Sequence, residues 1–168
     1  TGIHVLEHEI GHGFGMTDFY GGEGECVYGC LGHGDCMNAC PNGAIRIQNG
    51  IAQIDPYICT GCGICSKVCP NHVIHVVPSE STIAVLCSNT EPGAGARKAC
   101  SHACIGCRRC ERECPEGAIT VRNNLASINY EKCASCGICA ETCPTGAAQV
   151  RLDYFLAQTQ PKQEHVSA

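Results

Sequence analysis

The sequence predicts an α+β chain made of two tandem copies of one small unit, with short helices and small sheets gathered around cysteine sites. Three observations predict it. Cysteine supplies 18 of the 168 residues, ordinary apolar side chains are scarce, and most cysteines recur after a shift of 74 positions. Leu, Ile, Val and Phe together number 33, and Trp is absent. That is near the level at which burial fails to offset the entropy of ordering a backbone. Whatever the cysteines bind must therefore supply much of the core.

The 74-residue shift carries Cys26, Cys30, Cys36, Cys40, Cys59, Cys62, Cys65 and Cys69 onto Cys100, Cys104, Cys110, Cys114, Cys133, Cys136, Cys139 and Cys143. Three stretches share one plan: Cys59-x2-Cys62-x2-Cys65-x3-Cys69-Pro70, Cys104-x2-Cys107-x2-Cys110-x3-Cys114-Pro115 and Cys133-x2-Cys136-x2-Cys139-x3-Cys143-Pro144. A fourth is looser, Cys26-x3-Cys30-x5-Cys36-x3-Cys40-Pro41. The regular spacing is the bacterial ferredoxin signature: three thiolates wrap one [4Fe-4S] cluster, and the fourth reaches the neighbouring cluster. Zinc ribbons use paired C-x2-C elements, and a disulfide scaffold has no need of the same triplet three times.

Each half then reads as cysteine loop, helical turn, hairpin, cysteine loop, helical turn and closing strand. Residues 44–47 and 51–54 flank Asn49-Gly50, a strong hairpin signal, and 118–121 and 125–128 repeat it around Asn123-Asn124. Val73 to Val77 and Ala147 to Leu152 read as closing strands. The expected organisation is two bacterial ferredoxin-like units at 23–80 and 100–154, joined by a connector at 81–99 with one strand. Residues 1–22 stand apart, and 155–168 form a polar tail.

Crossed ligation gives four sites. Cys26, Cys30 and Cys36 with Cys69 form the first, and Cys59, Cys62 and Cys65 with Cys40 the second. Cys104, Cys107 and Cys110 with Cys143 form the third, and Cys133, Cys136 and Cys139 with Cys114 the fourth. Cys107 maps back onto His33, so Cys26 is expected to replace the missing middle cysteine, while His33 reads as a solvated loop histidine. Cys87 and Cys100 are left without a role. Fully thiolate-ligated cubanes leave iron no open position, so four of them in a row would carry single electrons. No dinucleotide fingerprint, phosphate loop or nucleophile arrangement accompanies them.

The segments Cys26-Val-Tyr-Gly-Cys-Leu-Gly-His-Gly-Asp-Cys36, Ala39-Cys-Pro41 and Gly43-Ala-Ile45 closely resemble the B subunit of Rnf complexes. Val85-Leu-Cys-Ser-Asn-Thr-Glu91, Ala96-Arg-Lys-Ala-Cys100, Cys104-Ile-Gly-Cys107 and Asn123-Asn-Leu125 extend the resemblance, which spans about residues 21–154. It implies a membrane-associated, ion-translocating complex that passes electrons between ferredoxin and NAD. This chain would be its ferredoxin-side relay, with other subunits of the complex as partners. The implied location is the cytoplasmic, inner face of the cell membrane, reached through those partners.

Residues 1–22 carry a different signal. His8-Glu-Ile-Gly-His12 followed by Gly15 and Asp18 resembles the zinc-site helix of zincin metallopeptidases, with His8, His12 and Asp18 as candidate zinc ligands and Glu9 as the candidate base. About 20 residues cannot build a substrate cleft, so the expected reading is a joined fragment with a seam near Gly21-Gly22, and neither zinc nor peptidase activity is expected. The net charge of −5 argues against binding nucleic acid or anionic lipid, and no run of about 18 apolar residues spans a membrane. Arg97, Lys98, Arg108, Arg109 and Arg112 concentrate positive charge around the third motif. They form either a docking face for an acidic ferredoxin or a solvated face that balances the cluster's charge.

Overall fold

A Cys-Pro pair ends each cysteine loop's helix, and that pair organises the molecule. Proline clashes with a helical residue before it and pushes that residue into extended backbone. Cys40, Cys69, Cys114 and Cys143 accordingly have φ/ψ of −74/113, −67/117, −73/112 and −71/115, each closing a helix of only five residues. The thiol of each is thereby turned away from the loop that precedes it.

The computed structural model describes residues 3–7, 26–48, 50–55, 57–78 and 80–150, with the backbone alone described for the first of these segments. The elements of the first half are β1 (Ile3–Glu7), α1 (Asp35–Ala39), β2 (Ile45–Gln48), β3 (Ile51–Ile54), α2 (Ile64–Val68) and β4 (Ile74–Pro78). Those of the second are β5 (Ile83–Val85), α3 (Gly93–Ala99), α4 (Arg109–Glu113), β6 (Ile119–Arg122), β7 (Leu125–Ile128), α5 (Ile138–Thr142) and β8 (Ala148–Val150). The fold is α+β with tandem halves, as the sequence predicts. β2 pairs antiparallel with β3, and β6 with β7, in matching registers: Ile45 opposes Ile54 as Ile119 opposes Ile128. Asn123 and Asn124 both adopt left-handed backbone, with φ of 49° and 63°, which is the geometry of a tight hairpin turn.

The sheet edges differ from the sequence expectation. The strand expected in the connector, β5, pairs with β8 and so closes the sheet of the second half. In the first half the equivalent partner of β4 is β1, with Ile3 opposite Pro78 and Glu7 opposite Ile74, so part of the segment set apart at 1–22 supplies a sheet edge. An unpaired β4 would leave a row of backbone donors and acceptors open, and β1 satisfies them. Helix α3 is a further difference, since Gly93 and Gly95 in Gly-Ala-Gly-Ala-Arg-Lys-Ala weaken any helical signal.

The core is partly made of cysteine. In the first half Cys36, Cys65 and Cys69 are buried with Ile45, Ala52, Ile54, Val73 and Ile74. In the second, Cys87, Cys104, Cys110 and Cys139 are buried with Ile83, Ile119 and Val121. Val77 and Ala84, packed with Leu86 and Tyr130, join the halves. Within each half the two cysteine helices lie against one another, α1 on α2 and α4 on α5.

The first loop presses closely on its hairpin. Gly32 has φ +69, and a Cβ there would overlap the Gly50 carbonyl oxygen, whereas a Cβ at Gly43, φ +63, meets nothing within 4 Å. Gly43→Ala should therefore cost about 1 kcal/mol for the left-handed backbone alone, and Gly32→Ala roughly 3 kcal/mol once overpacking is added. Heating the holo-protein and following loss of its visible absorbance checks this; equal midpoints for the two variants would refute the close approach.

Candidate iron-sulfur sites

Three of the four expected sites are formed as cavities among the described residues, each lined from two motifs. Cys59, Cys62 and Cys65 share one with Cys40. Cys104, Cys107 and Cys110 share another with Cys143. Cys30, Cys36 and Cys69 line a third. For the fourth, Cys133 and Cys136 lie within electrostatic reach of Cys139, and Cys114 ends the helix packed on α5. Among the described residues no three Cys, His, Asp or Glu side chains converge tightly enough for one metal ion. In the three cavities the cysteines line a space instead, which suits a cubane with separate iron corners.

The loops achieve this with alternating left-handed residues. The middle ligand position is flanked by Gly61 and Gly63 (φ 70° and 73°) around Cys62, by Gly106 and Arg108 (64° and 58°) around Cys107, and by Ser135 and Gly137 (55° and 85°) around Cys136. In every case the middle thiol is exposed and the third one, Cys65, Cys110 or Cys139, is buried. Gly32 and Gly34 (69° and 86°) flank His33 in the same way, and His33 lines the first cavity with Cys30, Cys36 and Cys69. Cys26 is absent from that lining and lies within electrostatic reach of Cys87 in the second half. His33 is exposed, as the solvated-loop reading expects, and Gly-His-Gly gives it the left-handed frame of the other loops.

Sulfur accepts backbone hydrogen bonds around the sites. The amides of Ala44 and Ala118 donate to Cys40 and Cys114 Sγ at 3.4 and 3.3 Å, and those of Gly61 and Ser135 to Cys59 and Cys133 Sγ at 3.4 Å each. The Ala52 amide reaches Cys30 Sγ at 3.5 Å. Such donors stabilise negative sulfur and tune a cluster's potential. Burial pushes the Cys65 thiol up to about 11, and the charges of Cys59, Cys62 and Cys36 add to it against the Ser66 amide. Burial likewise takes Cys110 to about 11, reinforced by Cys104 and Cys143. Burial also raises Cys139. At Cys143 burial acts upward, but the amides of Ala148, Thr145 and Ala147 and the Thr145 hydroxyl outweigh it and hold the thiol below its ordinary value. Four thiolates this close repel one another unless iron supplies the compensating charge.

The 4Fe-4S dicluster domain family matches residues 24–73 and 103–147, more than half of the sequence. The chain belongs to that family. A second 4Fe-4S dicluster description matches 58–119, across the junction of the halves. Two dicluster regions and this cysteine set fit four [4Fe-4S] clusters. The chain is 42% identical over 113 residues to the B subunit of the Na(+)-translocating ferredoxin:NAD(+) oxidoreductase complex of Acetobacterium woodii, covering 67% of this chain and 34% of that protein. It is 54% identical over 110 residues to the B subunit of the proton-translocating ferredoxin:NAD(+) oxidoreductase complex of Clostridium ljungdahlii, covering 65% and 39%. The B subunit of the ion-translocating oxidoreductase complex of Methanosarcina acetivorans is 42% identical over 108 residues, covering 64% and 41%. The resemblance carried by the Cys26–Cys36 and Val85–Leu125 segments is thus borne out, and the chain spans about two fifths or less of the relatives it matches.

His8, Glu9, His12, Asp18 and the 155–168 tail lie outside the described residues. Among the described residues no helix is long and apolar enough to cross a membrane.

Proposed function

We propose that the chain relays single electrons as the ferredoxin-side subunit of an ion-translocating ferredoxin:NAD oxidoreductase complex, held by partner subunits at the cytoplasmic face of the membrane. The observation that carries this reading is the crossed lining of the cavities: two are formed by three cysteines of one motif and the C-x3-C cysteine of the other, and a third by Cys30 and Cys36 with Cys69. When bound, the four clusters supply one-electron chemistry. The ligand sets are Cys26, Cys30, Cys36 and Cys69; Cys40, Cys59, Cys62 and Cys65; Cys104, Cys107, Cys110 and Cys143; and Cys114, Cys133, Cys136 and Cys139. The residues' part is to hold the clusters with no open iron position, to tune them through amide donors, and to leave one ligand of a site near solvent for exchange with a partner.

The third site is the favoured entry point. Its exposed ligand Cys107 is followed by Arg108 and Arg109, which help line the cavity, and Arg108 occupies a left-handed position filled by glycine in the other three loops. Holding a cation there costs about 1 kcal/mol of backbone strain. Stopped-flow reduction by reduced ferredoxin should slow with rising salt, and Arg108→Glu/Arg109→Glu should slow it roughly tenfold while leaving reduction by dithionite unchanged. Equal rates for the charge-reversed protein would remove the docking assignment, and no reduction by ferredoxin at any salt would remove ferredoxin as the donor.

A further inference from the structure

The cysteine at position 87 has no place in the repeat, yet it is buried against the third site. The Cys104 backbone N–H donates to Cys87 Sγ at 3.2 Å. Cys104 is the first cysteine of the third motif, and the first cysteines of the second and fourth motifs are held differently. The Cys59 N–H donates to the Asp55 carbonyl at 2.9 Å, and the Cys133 N–H to the Asn129 carbonyl at 3.1 Å. In the second and fourth loops the residue four positions earlier in the same loop takes this bond. In the third, a side chain from 17 residues earlier takes it.

Cys87 belongs to a segment that grips the third loop at further points. Asn124 Nδ2 donates to the Thr90 carbonyl at 3.1 Å, tying the segment to the β6–β7 turn. A Cβ at Gly93 would come within 2.8 Å of the Ile105 carbonyl oxygen, and one at Gly106 within 2.9 Å of Asn124 Cα, so segment, ligand loop and turn meet at backbone distance. Asn89 is fully buried, its Oδ1 accepting the Glu91 N–H at 2.7 Å. Such a contact transmits changes because packed interiors do not deform freely.

We propose that Cys87 is a positioning residue of the third cluster: its sulfur, in place of a loop carbonyl, fixes the Cys104 amide and thereby the ligand Cys104. Sulfur is a larger and weaker acceptor than a carbonyl oxygen, so the Cys104 backbone has a different polar partner from Cys59 and Cys133. The third cluster thereby acquires a setting that the ligand spacing alone does not give it. The inference rests on the reading that Cys104, Cys107, Cys110 and Cys143 hold a cluster.

Cys87→Ala and Cys87→Ser, each reconstituted anaerobically in the full chain, separate the possibilities. Iron and sulfide content reports the ligand reading, and an EPR-monitored potentiometric titration reports the positioning. The Ala variant is expected to keep the iron content of the parent while one of the four clusters shifts in potential and in EPR signature. The Ser variant, which retains an acceptor, should return that cluster towards the parent values. A parent protein without four clusters would defeat the ligand reading itself. With four clusters in the parent, unchanged potentials and spectra in Cys87→Ala would overturn the inference. So would loss of a whole cluster in both variants, since that would make Cys87 a ligand.

Discussion

Removing iron from the folded protein with an oxidant and chelator is expected to unfold both halves, seen as loss of far-UV circular dichroism together with the visible absorbance. The holo-protein should carry about sixteen iron and sixteen sulfide per chain. The physical reason lies in the composition of the core. In the first half three of the eight residues in the buried cluster are cysteines, and Cys30, Cys40 and Cys59 pack against its edge. Without iron those thiols face cavities rather than atoms, and the dispersion contacts that would close the space are missing. Among the described residues the strands are of three to five residues and pair two by two, short of what is independently stable in water. The five-residue helices are likewise far below the length that persists alone. Cluster binding is therefore folding free energy. A yield near eight iron, or an iron-free chain that keeps its secondary structure, would contradict the four-cluster core.

The parts of this fold that are legible in sequence are those dictated by covalent chemistry. Proline after Cys40, Cys69, Cys114 and Cys143 sets the backbone of the preceding residue locally, so the end of each helix and the crossed placement of Cys40, Cys69 and Cys143 can be read from spacing. The hairpins are legible because Asn and Gly tolerate left-handed backbone and β-branched residues flank them. The pairings of β1 with β4 and β5 with β8 are not, because they depend on which edge is left open after the hairpins form. The same limit applies to Cys87. Its sequence neighbours give no sign that it meets Cys104; that contact follows from the closeness of glycines 93 and 106 to the opposing backbone.

Cys26→Ser is expected to damage one cluster selectively, whereas Cys100→Ser should leave all four intact. The two positions are equivalent in fold as well as in sequence: the Gly29 N–H donates to the Cys26 carbonyl at 3.1 Å, and the Ala103 N–H to the Cys100 carbonyl at 3.2 Å, so each begins the same turn into its loop. Their tasks are expected to differ because the second half has Cys107 at the exposed middle position and the first has His33. Iron in a cubane favours thiolate over imidazole, and Cys26 precedes Cys30 by a single turn; as a ligand it would require residues 26–29 to rearrange, since Cys26 does not line the first cavity. His33 stands at the position of the middle ligand among the residues lining that cavity, so it is the competitor the variants test. Iron content and EPR spin count on Cys26→Ser, Cys100→Ser and His33→Ala decide between them. Cys26→Ser should fall by about four iron, and the other two should match the parent. The reverse pattern, a cluster lost in His33→Ala and kept in Cys26→Ser, would make imidazole the ligand and leave Cys26 outside the first site.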